Sequence, residues 1–397
     1  MGRKSSKLFV GMDVHKESID IAVAEEGGKV RHHGRIGGDM TALTRAVRKL
    51  ESLNRELVFV YVAGPCGFVI YRGLQARGHE CWVVAPSNTP RRVGDRIKTD
   101  RRDCLKLAGL ARAGELTPIY VPDQLDEAMR DLVRTREDAV AMQRQARHRL
   151  AALLLRNDIR YVGKTAWTTA HQRWIARLTL SQPAQRIAFE EYVQTVSEAT
   201  ERVQRLTQSI EQELAAWRWR PVVSALQACR GIQLIHAVRI VAELGDLSRF
   251  AHPRQLMGYL GLIPSEDSSG EHRHQGAITR AGNSSARRAL VEAAWAYQHA
   301  AKVSPIIARR QTELPKTAIA IAWKSAVAVV RTISSARRPR RESQQDCRGH
   351  RPRARRFCVG HRTPDQARLT EYEPTSSRTA TQPTKEIPHP HNLHSAR

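Results

Sequence analysis

An α/β domain, then a helical middle, then a mostly helical C-terminal part is the fold class this sequence predicts. Three observations carry that prediction. Residues 7–36 hold three successive strand signals, residues 40–120 alternate helix and strand patterns, and from residue 123 apolar residues recur at helical spacing. With 397 residues and 41% hydrophobic content, the chain has room for two or three domains with real cores.

The strands come first. "KLFVGMDV" is apolar and β-rich, "SIDIAVAEE" alternates, Gly27-Gly28 supplies a turn and "KVRHHGRI" returns. "MTALTRAVRKLESL" spaces its apolar residues as a helix. Next come the strand "ELVFVYV", a helix from about Gly67, the strand "ECWVVAP" and helical text through "DCLKLAGLARAGEL". Three strands followed by α-β-α-β-α is the order of a ribonuclease H-like domain, placed at residues 7–120. Alternation alone equally allows other α/β folds.

Residues 123–220 read as a helical or coiled-coil region. Phe189, Val193, Val196, Val203, Leu206, Ile210 and Leu214 recur at three, four or seven residues, either as a coiled-coil seam or as one face of a bundle. A third domain is expected over residues 222–326. "LQACRGIQLIHAVRIVAEL" there predicts two short helices joined through a glycine turn, a helix-hairpin-helix-like unit. Such a turn suits phosphate contact, although a structural hairpin looks the same. "SEDSSGEHRHQG" reads as a polar loop, with a helix following from about Ser284. Residues 331–397 lose apolar periodicity and are expected to be a disordered, Arg-rich tail.

The formal net charge of +26 points to a polyanionic partner, most simply nucleic acid. The tail holds 14 arginines and one lysine against six acids, a net +9, so about +17 remains on the rest. No apolar run has the ~18–20 residues of a membrane span, and the N-terminus has no apolar signal segment. The six scattered cysteines form no C-x-x-C pair, which argues against a disulfide framework or zinc site and fits a reducing cytoplasm.

Asp13 ends the first strand, and Asp100 and Asp103 lie three apart in "KTDRRDC", on one helical face. In a ribonuclease H-like sheet those places converge, so the three carboxylates could hold one or two Mg²⁺ ions about a scissile phosphate. Each alone reads equally as a cap or a solvated acid. The end of the fourth strand is the other place such chemistry calls for a carboxylate. "FVYVAGPCGF" offers Val62 there.

"FVGMDVHK", "AGPCG", "IKTDRRDCLKLA", "YLGLIPSEDSSG" and "GAITRAGNSSARRALVEAAW" together resemble the one-ten family of bacterial insertion-sequence transposases, relatives of the Piv and MooV DNA invertases. The likeness runs in order from about residue 7 to 326. It implies a RuvC-like N-terminal domain with an Asp-Glu-Asp-Asp metal site and a C-terminal domain with an essential serine. It also implies a non-coding bridge RNA that pairs with donor and target DNA. Asp13, Asp100 and Asp103 match three of the four acids. The family reads "Y-E-A-G-P-C-G" where this chain has "YVAGPCG", so Val62 takes the glutamate position. Glu56 has the right strand parity but lies ~20 Å away along the strand. Impaired catalysis is therefore expected of this copy.

The resemblance further implies that a serine attacks DNA and forms a phosphoseryl intermediate. Ser269, next to Gly270, is favoured, with Ser268 the rival; the site of a partner subunit in a dimer or tetramer could activate the hydroxyl. Arg273, Arg280, Arg287 and Arg288 are the expected phosphate contacts, while His272 and His274 more readily contact backbone or solvent. After "LPKTAIAIAWK" the family continues as an amphipathic helix. Here the text turns arginine-rich, as a shifted reading frame would make it or as a genuine RNA-binding tail would be. Two other readings stay open, a Holliday-junction-resolvase-like nuclease and a non-catalytic nucleic-acid-binding remnant.

Overall fold

The structure is a computed structural model that describes residues 7–90, 99–270 and 272–337. Its N-terminal part is built on a five-stranded sheet. β1 (Lys7–Val14), β2 (Ser18–Glu25) and β3 (Arg31–Gly37) form an antiparallel meander, α1 (Met40–Glu51) crosses over, and β4 (Glu56–Val62) returns parallel to β1. α2 (Val69–Gln75) leads to β5 (Glu80–Val84), parallel to β4, and α3 (Asp100–Arg112) closes the domain. The strand order β3-β2-β1-β4-β5 is that of a ribonuclease H-like sheet.

β1, β2 and β4 are buried on both faces, which is why they read as near-continuous apolar runs. One face, with Leu8, Val10, Met12, Ile21, Phe59 and Tyr61, packs under α1 and α2. The other, with Phe9, Ala22, Ala24, Val58 and Val60, packs under α3 through Cys104, Leu107 and Ala108. Asp39 caps α1, accepting from Thr41 and Ala42 N–H, and the Thr99 hydroxyl accepts from Arg102 N–H to start α3. Gly11 sets how closely α3 lies on β1. A Cβ there would meet the Ala108 nitrogen and the Cys104 carbonyl oxygen, each at 2.4 Å. Gly11→Ala is therefore expected to push α3 off the sheet and cost about 3 kcal/mol or more, read as a lowered urea midpoint.

The middle of the chain is a long antiparallel hairpin of α4 (Gln124–Arg156) and α6 (Pro183–Ala216), with α5 (Thr169–Ile175) in the connection. Arg136 donates to Thr207 and Gln143 to Thr200 across it, at 2.7 and 2.9 Å. The expected seam thus packs within one chain. Phe189, Val193 and Val196 meet Leu150, Leu153 and Leu154, while Ile210 and Leu214 meet Met129 and Val133. The near end of this hairpin packs into the C-terminal core.

That core surrounds α8 (Leu234–Leu244), which follows α7 (Arg220–Leu226) through a turn at Gly231 with φ +82°. Residues 237–244 are all buried. α9 (Pro253–Tyr259) leads into a small sheet of β6 (Pro264–Glu266) and β7 (Gln275–Ile278), followed by α10 (Ser284–Ala294), α11 (Pro305–Gln311) and α12 (Lys316–Arg337). Two differences from expectation stand out. The serine loop is a β-hairpin, because its backbone groups pair with each other across the turn. The final helix runs through Arg337, past the expected start of the tail at residue 331. The rest of that tail, 338–397, lies outside the described residues. No described helix is long and apolar enough to cross a membrane.

Candidate active site

The aspartates meet at the C-terminal end of β1. β1 carries Asp13 toward α3, on the same face as Phe9 and Gly11. The first turn of α3 holds Asp100 and Asp103, where acids also suit the positive helix end. His15 Nε2 lies 3.2 Å from Asp13 Oδ2 and 3.4 Å from Asp100 Oδ1. One donor atom from each of Asp13, His15 and Asp100 lies within 4.8 Å of the others. Asp103 sits outside that trio, but its charge still reaches Asp13. Burial pushes the Asp13 carboxyl above the usual carboxylate range, His15 opposes this, and the charges of Asp103 and Asp100 add to it. An anionic cluster of this kind favours a cation, and oxygen donors at this spacing suit a divalent one.

Val62 is the last residue of β4. The β1–β4 register ends at Met12↔Tyr61, so one step further Asp13 and Val62 lie side by side. Val62 packs on the α3 side of the sheet with Val60 and Val84. A carboxylate at this position would face the cluster; the valine methyls bring no ligand. Glu56, at the far end of β4, pairs with Lys7 at 3.1 Å and stays there. The turn after Val62 is fixed by Ala63 N–H donating to the Val84 carbonyl (2.8 Å) and by the Tyr61 hydroxyl donating to the Gly67 carbonyl (3.1 Å).

The structure adds residues that the sequence reading passed over. Asp20, on β2 opposite Asp13, is 4% exposed and accepts from Arg35 Nε (2.7 Å), with His32 Nε2 at 3.0 Å. Burial alone would raise the Asp20 pKa, but the hydrogen bonds from Arg35 and His32 outweigh it and hold the carboxyl below its usual range. Arg35 Nη2 reaches on to Asp100 Oδ2. β2 and β3 thus fix one oxygen of Asp100 and leave the other beside His15. The signal available in the sequence was a lone acid inside "SIDIAVAE", a strand buried on both faces.

At the β6–β7 hairpin the two serines differ. Ser268 donates to Glu266 Oε1 (3.0 Å) and accepts from His274 N–H (3.2 Å). Ser269 is held by its main chain alone, paired with His272 at 3.2 and 3.1 Å, and its hydroxyl is uncommitted among the described residues. Gly270 follows with φ +58°, a left-handed turn residue. Of the four arginines, Arg273 pairs with Glu266 (3.2 Å) and Arg280 borders a cleft with Phe68, Tyr120 and Tyr259. Arg287 donates to the carbonyls of Leu260 and Ala281 at 2.8 and 2.9 Å, and Arg288 lies 3.3 Å from Glu137. Among the described residues no hydrogen bond or ion pair joins this hairpin to the aspartate cluster.

A ribonuclease H-like sheet with acids converging at its β1 end is an arrangement suited to cutting a phosphodiester with bound divalent ions. The family description "Transposase IS116/IS110/IS902 family" matches residues 223–309, and a second transposase description, for the DEDD domain of the IS110 group, matches residues 10–157. A Sinorhizobium fredii protein named as a transposase, y4qE, is 44% identical over 321 residues, spanning 80% of this chain and 79% of its own. The transposase for insertion sequence element IS1533 of Leptospira borgpetersenii is 29% identical over 330 residues, spanning 81% of this chain and 94% of its own. The chain belongs to the IS110/IS116/IS902 family of insertion-sequence transposases. A Thermus thermophilus RuvC structure in complex with a Holliday junction substrate, 13% identical with a TM-score of 0.22, covers 28% of this chain and 99% of its own. That likeness is too slight to bear on the fold, which stands on the sheet order.

Proposed function

We propose that this chain is the recombinase of an insertion sequence, cutting and rejoining DNA through a phosphoserine ester, with a bridge RNA choosing the sites. The observation that carries the reading is the convergence of Asp13, Asp100 and Asp103 at one end of the sheet, in a chain that also presents the uncommitted Ser269 hydroxyl. Asp13 and Asp100, with Asp103 beside them, are the residues that would hold Mg²⁺. Such an ion lowers the pKa of a bound nucleophile and neutralises charge on the phosphate.

Ser269 attacks the scissile phosphorus, one ester oxygen leaves with a proton, and the phosphoserine bond conserves the energy for rejoining. Activation falls to the acid site of a partner subunit, which makes a homo-oligomer, a dimer or tetramer, the working form. We assign phosphate contact to Arg273, Arg280, Arg287 and Arg288, which would exchange their present partners for DNA, and the glycine turn at Gly231 offers another. The division into residues 7–120, 123–220, 222–326 and 331–397 follows these roles, and the setting is the bacterial cytoplasm, on the nucleoid. Val62 leaves the acid site one ligand short, so we expect slow catalysis or none from this copy.

The test is recombination of the cognate element by the Val62→Glu protein in the presence and absence of its RNA. Product that requires the RNA and vanishes in Asp13→Asn supports the reading. Strand cleavage that is indifferent to RNA and insensitive to Ser269→Ala contradicts it and favours a resolvase-like nuclease.

A further inference from the structure

His15 stands between Asp13 and Asp100 at the acid site. We propose that His15 is a ligand of the catalytic cation beside Asp13 and Asp100, and that the resulting mixed site takes Mn²⁺ in preference to Mg²⁺. The inference rests on the metal-site reading above.

Its placement carries the argument. β1 ends at Val14, and the His15 N–H donates to the Ser18 carbonyl at 2.9 Å, so the backbone turn into β2 fixes where His15 leaves the strand. Its Nε2 is 3.2 Å from one oxygen of Asp13 and 3.4 Å from one of Asp100. Ligands at right angles around an ion with bonds of about 2.1 Å stand roughly 3 Å apart. The imidazole nitrogen is therefore already near the spacing of a neighbouring ligand from each carboxylate oxygen, and the three atoms lie within 4.8 Å of one another. The partner atoms are also the right ones. Asp100 gives its other oxygen to Arg35, which is anchored on the buried Asp20, and this leaves Oδ1 toward His15. His15 is half exposed, which leaves its ring room to turn toward an ion.

The consequence for metal choice follows from donor chemistry. Mg²⁺ binds oxygen and gives up water reluctantly, so exchanging a carboxylate for an imidazole weakens it. First-row transition ions accept imidazole more readily, and Mn²⁺ also keeps the oxygen preference that suits the aspartates. The competing role for His15 is that of an ion-pair partner holding Asp13 and Asp100 together with no metal bond.

The experiment uses the untagged full-length chain with Mn²⁺ alone, read by electron spin echo modulation from ¹⁴N and by Mn²⁺ titration. The expected result is one Mn²⁺ per chain with ¹⁴N modulation. His15→Gln should remove the modulation and weaken Mn²⁺ binding by about tenfold or more. Val62→Glu should move the Mn²⁺-to-Mg²⁺ preference toward Mg²⁺ by about tenfold. Mn²⁺ bound without ¹⁴N modulation, in a manner that needs Asp13 but not His15, overturns this inference and leaves the metal site standing. No Mn²⁺ binding at all, with Asp13→Asn indistinguishable from the parent, overturns both. The parent spectrum decides the point even where a variant fails to fold.

Discussion

A Val62→Glu protein is expected to cleave element DNA at least about a hundredfold faster than the chain as it stands, the scale at which removing one electrostatic stabiliser costs an enzyme. Val62 lies beside Asp13 at the ends of parallel strands and faces the α3 side. A glutamate there would add a fourth oxygen ligand to the cluster. The valine is only partly buried, so the longer side chain can extend toward the open end of the sheet. Nicking rates for the two proteins at saturating Mg²⁺ give the comparison, with matching thermal melts to show that both are folded. Equal rates in two folded proteins would mean that three aspartates suffice and that Val62 is no lesion.

Glu243→Ala is expected to lower stability by about 3–5 kcal/mol, the cost of breaking a buried pair from one side. The Glu243 side chain is fully buried on α8. It accepts from Arg134 Nε (2.8 Å) and Nη2 (2.9 Å) on α4, and from Asn283 Nδ2 (2.6 Å) at the start of α10. One carboxylate therefore ties three helices of the C-terminal core. Burial would raise its pKa, but the hydrogen bonds from Arg134 and Asn283 outweigh burial and hold it below the usual glutamate range. The sign for pH follows. The unfolded chain takes up the proton first, so the stabilisation is complete above about pH 4.3 and is lost as pH falls through the lower folded value. Urea unfolding at pH 7 and below pH 4 should show the parent losing more stability on acidification than Glu243→Gln. A parallel loss in both would remove Glu243 from the account.

Much of this molecule was legible because its strands are short, strongly apolar and separated by clear turn residues. "KLFVGMDV" and "ELVFVYV" announced β1 and β4, and the spacing of Asp100 and Asp103 put them on one helical turn. What stayed hidden depends on tertiary pairing. Nothing local says that Asp20 and Arg35 face each other across β2 and β3, or that Arg35 then reaches Asp100. The seam of α6 could not name its partner, because a heptad pattern reads the same whether the facing helix is α4 or another chain. The serine hairpin was hidden for a different reason. β6 and β7 are short and exposed along their whole length, so they carry no buried-exposed alternation to read.

The measurement that bears most directly on the account is the search for a covalent protein–DNA adduct. Val62→Glu protein, element DNA, the element's RNA and Mg²⁺ are combined, quenched in denaturant, and the DNA-linked peptide is mapped by mass spectrometry. A phosphate ester on Ser269 is expected, kept in Ser268→Ala and lost in Ser269→Ala and Asp13→Asn. Cleaved DNA with no adduct, or an adduct on Ser268, would contradict it.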